Sequence, residues 1–327
     1  MEPQTPRAGR AARTSSPPDV RAMTTELLAL DRTLGARHAA PVAMRSVRMV
    51  EAAGAAVPAG TAGADLAEFF EVAAWILFDA ERHGPSYRLN RRALALARRL
   101  PEEERSIELL VLSVLSMQQT HLGHPRASLR TSSSVLARRD LPPRVAALFH
   151  VREARAHARL GRRAAALRSL AAAREMSADG PSDRDPAWSW WFDRAELDGH
   201  HGLVLADLGD AEGAAALLHA AAASDGGPAY RALFAADLGR VLARAGAWRE
   251  TDAWLSALAE SAPRMGSVRA LNSLRRAIAA VDGGRRVPRG LRGTTRDLTE
   301  LLARELPRER HGEGHVHHLP TEPPEFR

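Results

Sequence analysis

The densest cluster of side chains able to do chemistry is Asp193, Glu196, Asp198, His200 and His201. Glu196 and His200 are four residues apart, so on a helix they share a face, where a carboxylate and an imidazole either ligate a metal or form an ion pair. The string is not HExxH, so no residue is assigned to a metal. A hydrogen-bonding site for a ligand or partner is the preferred expectation. Similar polar groups close the earlier helical runs: Asp79, then Gln118, Gln119 and His121, then Arg152, Glu153, Arg155 and His157. If those runs stack side by side, Asp79, Gln118, His121, Glu153, His157, Asp193, Glu196 and His200 form a polar ladder able to hold a peptide backbone or its termini. The competing reading is an ordinary network of hydrogen bonds between helices.

Trp188, Trp190 and Trp191 offer either a binding platform or core rings; their spacing covers more than one face of a helix start, which puts at least one ring in the core. Trp248 and Trp254 read as packing residues. His311, His315, His317 and His318 lie in a tail with no fixed geometry, where metal capture would be adventitious. The chain has no Cys, which excludes disulfides, thiolate zinc sites, iron–sulfur clusters and thiol nucleophiles. It also lacks GxSxG, GxxxxGK[ST] and a GxGxxG following a strand. No catalytic residue and no cofactor are expected.

The elements that must position these groups are helices. Hydrophobic residues are 45% of the 327, dominated by Ala and Leu, while aromatics are 5%. No segment alternates with a period of two, so an all-α fold is expected. Gly84, Gly123, Gly161, Gly209 and Gly246 each follow an amphipathic run and precede an Ala-rich one, at spacings of 39, 38, 48 and 37 residues. Each glycine suits the position just past a helix end, where positive φ costs it little. This is the pattern of a right-handed α-solenoid of tetratricopeptide-like helix pairs, with a period longer than the standard ~34 residues. The pairs are expected at about 63–99, 102–139, 142–177, 187–224 and 228–261, the long spacing reflecting a loop in SADGPSDRDPAWSWW.

The resulting organisation is a disordered tail over 1–18, capping helices within 19–62 (near 19–36 and 41–54), the array over 63–283, and a final segment over 284–327. Ser16-Pro17 is a candidate helix cap. A helix near 264–282 closes the array, one near 294–306 docks loosely, and a polar His/Pro-rich tail follows. An apolar stripe on such helices is buried only by stacking neighbours, whose inner groove is the usual partner surface.

The net charge of +7 divides into +2 over residues 1–22, +3 over 23–283 and +2 over 284–327. Every basic residue is Arg, and no helix concentrates them as a nucleic-acid-binding face would. With neither a signal-peptide core nor a stretch of ~20 apolar residues, a cytoplasmic chain without membrane contact is expected.

The strings AAWILFDAERHG, QQTHLGHPRASL, REARAHARLG and above all DPAWSWWFDRAELDGHHGLVLADLG resemble the tetratricopeptide-like C-terminal region of actinobacterial regulators with XRE-type DNA-binding domains, over about residues 45–283. The resemblance implies a module of a transcription-regulatory system for development or secondary metabolism. It would respond to a protein or peptide partner, or a small-molecule signal, through a change in the superhelix or in a homodimer interface. Regulators of this kind carry a helix-turn-helix domain of ~60 residues or more before the array. Here only two helices precede it, so direct sequence-specific DNA binding is not expected. A stand-alone interaction scaffold is the alternative, and a metal-dependent enzyme around Glu196 and His200 is the third.

Overall fold

The computed structural model describes residues 19–53, 61–224 and 228–305. These residues are all-helical, with no strand among them. Two helices come first, α1 (Val20–Leu34) and α2 (Ala36–Ala52), followed by the hairpins α3 (Thr61–Asp79)/α4 (His83–Ala97), α5 (Ser106–His121)/α6 (Pro125–Leu136) and α7 (Pro143–Arg159)/α8 (Arg163–Met176). The hairpins α9 (Arg194–Asp207)/α10 (Ala211–Ala222) and α11 (Ala232–Ala245)/α12 (Trp248–Ser261) come next, then α13 (Val268–Asp282) and α14 (Arg289–Glu305).

The turns explain why the hairpins form where they do. Gly123, Gly161, Gly209 and Gly246 all have φ between 71° and 86°. In each case the next residue's N–H bonds the carbonyl five positions back, as in His124 to Gln119 at 2.7 Å and Asp210 to Leu205 at 2.9 Å. This pairing satisfies carbonyls that a helix end otherwise leaves bare. The first hairpin departs from the expected pattern. Gly84 lies inside α4, and Glu81, at φ 57°, takes the left-handed position, with Arg82 bonding Leu77 at 2.8 Å. A side chain there costs roughly 1–2 kcal/mol. Glu81 has compensation, since its carboxylate accepts from Asn272 at 2.5 Å and lies 3.8 Å from Arg276, both on α13.

Helix starts follow equally local rules. Asp19, Asp193, Asp210 and Ser267 cap α1, α9, α10 and α13 by accepting a backbone N–H three residues on. Asp19 thus takes the capping role at α1, while Ser16-Pro17 lies outside the described residues. The tryptophan cluster is not a helix start: Ala187–Trp191 is a 3-10 turn entered from Pro186, and α9 begins only at Arg194.

Each helix packs on its hairpin partner, and the odd-numbered helices from α3 to α13 each also touch the next odd one. Small residues make close approach feasible. Gly199 of α9, for example, leaves space for the Phe234 ring, which a Cβ would meet at 2.5 Å. The largest core cluster joins α1 to α5 around Phe69, Phe70, Ile76 and Leu77. The row then returns to its beginning. Arg37 N–H bonds Gly266 O at 2.8 Å, Gly35 packs directly on Gly266, and Asp79 pairs with Arg269 at 2.8 Å. The helix expected to dock loosely is α14. Its Leu291, Leu298 and Leu302 are fully buried in one cluster with α12 and α13, so apolar burial holds it firmly. The residues expected to form tails, 1–18 and those after Pro307, lie outside the described residues.

Candidate functional site

The polar ladder folds largely into internal pairs. Asp79 accepts from Ser267 Oγ at 2.9 Å and from Arg269 Nε at 2.8 Å, and the Arg269 guanidinium lies over the Phe78 ring at 4.6 Å and the Trp75 ring at 5.2 Å. Gln118 donates to Ser86 Oγ at 2.8 Å, which itself donates to Ala74 O at 2.6 Å. His121 sits edge-on to Phe78 at 5.3 Å and near His83 at 5.7 Å. The surrounding protein and then the Arg269 charge push its pKa down. Glu153 accepts from Ser133 at 2.7 Å and neighbours His150 at 3.6 Å. His157, whose pKa is lowered by burial, has no bond to the other ladder residues.

The cluster at the start of α9 forms a tighter unit. Asp193 caps the helix and accepts from Arg231 at 2.7 Å. Glu196, one turn on, accepts from Tyr230 Oη at 3.1 Å and Arg231 Nε at 3.3 Å, and lies 3.2 Å from His200 Nε2. The pair read from i,i+4 spacing is therefore present, and an acceptor-only carboxylate there favours a proton on Nε2. Burial pushes the His200 pKa down to about 4 and that of Arg152, 3.3 Å from His200 Nε2, down to about 10. Asp198 is instead paired with Arg194 at 2.7 Å. Among the described residues, no group of three or more His, Asp and Glu side chains comes together as a metal site. The four tail histidines lie outside the described residues.

Of the ladder, only Glu196 reaches the main cavity, a space of about 440 Å³ between the first helices and the turns that precede α9 and α11. Volumes of roughly 300–1,000 Å³ are usual for small-ligand sites. Its apolar floor is Val72 of α3 with Leu110, Val114 and Met117 of α5. Aromatic rings make the sides: Trp75, the 3-10 turn tryptophans Trp188, Trp190 and Trp191, and Tyr230. Trp75 and Tyr230 meet edge to face at 5.0 Å, which ties α3 to the turn before α11. Trp190 is 56% exposed at the rim, so the cluster serves as both core and lining.

Carboxyl groups complete the lining. Glu68, Glu71 and Trp75 recur at three- and four-residue spacing on one face of α3, and Asp31 of α1 accepts from Trp75 Nε1 at 3.3 Å. Burial, and secondarily repulsion from Asp79, pushes the Asp31 pKa up to about 7. Burial together with neighbouring Glu68 pushes that of Glu71 up to about 8. Sequence reasoning did not select these groups. The available signal was EFFEVAAWILF, in which Glu71 interrupts an otherwise apolar helix run.

No helix among the described residues is long and apolar enough to cross a membrane. Compared with known proteins, the chain matches no protein-family model and no curated protein.

Proposed function

We propose that this chain is a right-handed α-solenoid of tetratricopeptide-like helix pairs that acts in the cytoplasm as a ligand-binding regulatory module, without catalysis of its own. The single observation that carries the reading is the cavity of about 440 Å³ lined by four of the six tryptophans. The repeated glycine turns and the run of neighbouring odd-numbered helices support the array. The strings resembling actinobacterial regulators support a transcription-regulatory setting. A ligand there would touch α1, α3 and α5 together with the turns preceding α9 and α11, elements far apart in sequence. Its binding energy would favour the arrangement in which those elements meet, shifting the superhelix that a partner or homodimer reads.

Native mass spectrometry of the full chain incubated with an actinobacterial small-molecule extract tests this. A stoichiometric small-molecule adduct is expected, and Val114→Trp, which fills the cavity floor, abolishes it while the thermal midpoint is kept. No adduct on the wild-type chain, or one retained by Val114→Trp, overturns the reading. The alternative, a stand-alone protein-interaction scaffold with no DNA link, is favoured by the exposed rim ring of Trp190. It requires Trp190→Ala to abolish capture of a stoichiometric protein partner while Val114→Trp leaves that capture intact.

A further inference from the structure

Glu71 is 4% exposed, lines the cavity, and has no hydrogen-bond or ion-pair partner among the described residues. A carboxyl buried in this way is costly unless something neutralises it. The nearby charges do not. Glu68 repels it, while Arg231 is paired with Glu196, and Arg152 lies 3.3 Å from His200 Nε2 and feels the Glu196 charge. Asp31 is engaged by the Trp75 N–H, and Arg32 projects from the exposed rim of α1. The rest of the lining is aromatic, and the electron-rich faces of Trp and Tyr attract cations, most strongly where water is excluded.

We propose that the cavity binds a small organic ammonium ion, its cationic head against Glu71 and Glu68 and its apolar body between the tryptophan rings. An anionic ligand would meet Arg152 and Arg32 but would also face Asp31, Glu68 and Glu71 together. A neutral one would leave Glu71 a protonated carboxyl with no ionic partner. This identification rests on the cavity's being a ligand site, and it specifies the chemistry of the ligand.

The carboxyl supplies a second signature. With its pKa raised to about 8, Glu71 holds its proton at pH 7 in the empty protein. An ammonium head favours the carboxylate and so expels that proton. The charged and titratable groups facing the cavity are Asp31 and Arg32 of α1, Glu68 of α3, Arg152 of α7, Glu196 of α9 and Tyr230. Of the other carboxyls, Asp31 is raised to about 7 and burial also raises Glu68, so Glu71→Gln reduces proton release and leaves the shares of Asp31 and Glu68.

Tryptophan fluorescence titrations with benzyltrimethylammonium, 2-phenylethylammonium, 2-phenylethanol and phenylacetate test the proposal. Both cations are expected to bind saturably, about tenfold or more tighter than 2-phenylethanol, with no saturable binding of phenylacetate. Glu71→Gln is expected to remove about that tenfold preference and leave 2-phenylethanol unchanged without lowering the thermal midpoint. Calorimetry of benzyltrimethylammonium in two buffers of different ionisation enthalpy should show proton release at pH 7 that falls in Glu71→Gln. Equal binding of 2-phenylethanol and the cations, or an unchanged preference in Glu71→Gln, overturns the cation while leaving the ligand site standing. So does retention of a neutral or anionic molecule in the mass-spectrometric experiment. No saturable binding of either cation overturns this proposal, and the extract experiment still decides the wider reading.

Discussion

Asp79, the last residue of α3, and Arg269, in the first turn of α13, form an ion pair at 2.8 Å across 190 residues of sequence, with side chains only 2% and 5% exposed. Ser267 completes the carboxylate's partners, and the guanidinium stacks on Phe78 and Trp75. The pair thus joins the first hairpin to the end of the helix row. It also stands beside the cavity, because the Trp75 ring under Arg269 donates its N–H to Asp31.

Removing one partner from a buried ion pair strands the other. Arg269→Met is expected to lower the unfolding free energy by about 3–5 kcal/mol, read by urea denaturation. The double variant Asp79→Leu/Arg269→Met should recover a large part of that loss, because no uncompensated charge remains. A loss of under about 1 kcal/mol in the single variant would show that the pair does not hold the two ends together.

The raised carboxyls make stability fall toward alkaline pH. Glu71 has a folded pKa of about 8 against an ordinary 4.5, so the folded chain binds more protons than the unfolded one between those values. The stability associated with that proton is complete below pH 4.5 and is lost as pH rises through 8. Asp31, raised to about 7 from 3.8, acts in the same direction. Glu71→Gln should therefore flatten the decline, gaining on wild type by about 1 kcal/mol between pH 7 and pH 8.5. Thermal melts at pH 7 and 8.5 check this. Parallel declines in the two proteins would contradict it.

His200 acts in the opposite direction on the acid side. Its folded pKa of about 4 lies below the ordinary 6.5, so the unfolded chain binds the extra proton between them. Its stabilising share is present above pH 6.5 and is lost as pH falls through 4. The loss amounts to about 2 kcal/mol at pH 5 for this buried ring. His200→Gln keeps an N–H for Glu196 and removes the titration, so its stability difference between pH 7 and pH 5 should be smaller than wild type by about that amount. Chemical denaturation at the two pH values reads it, and an identical difference would sink the assignment.

What was legible in the sequence was what short-range physics controls. Helix positions follow from composition and punctuation, because a glycine in the left-handed region ends a helix using its own neighbours, as at Gly123 and Gly246. The Glu196–His200 pair follows from one helical turn. Gly84 shows where local reasoning fails, since Glu81 takes the left-handed position with the help of Asn272 and Arg276, side chains brought there by the return of α13.

The cavity is likewise a property of the return. Asp31, Glu71, Trp75, the Trp188–Trp191 turn and Tyr230 have no common spacing, and they become one lining only when α1 and α3 meet the turns preceding α9 and α11. The same packing that brings Asp79 to Arg269 leaves Asp79, Gln118, Glu196 and His200 of the polar ladder buried and Glu71 without a partner. By itself the sequence determined that the chain would be helical, and where most of its helices turn, because the hydrogen bonds of a helix and its cap are made among near neighbours. Which carboxyls would be satisfied and which would face a cavity was decided only by tertiary structure, because the charge that neutralises a buried group comes from whatever distant segment packs against it.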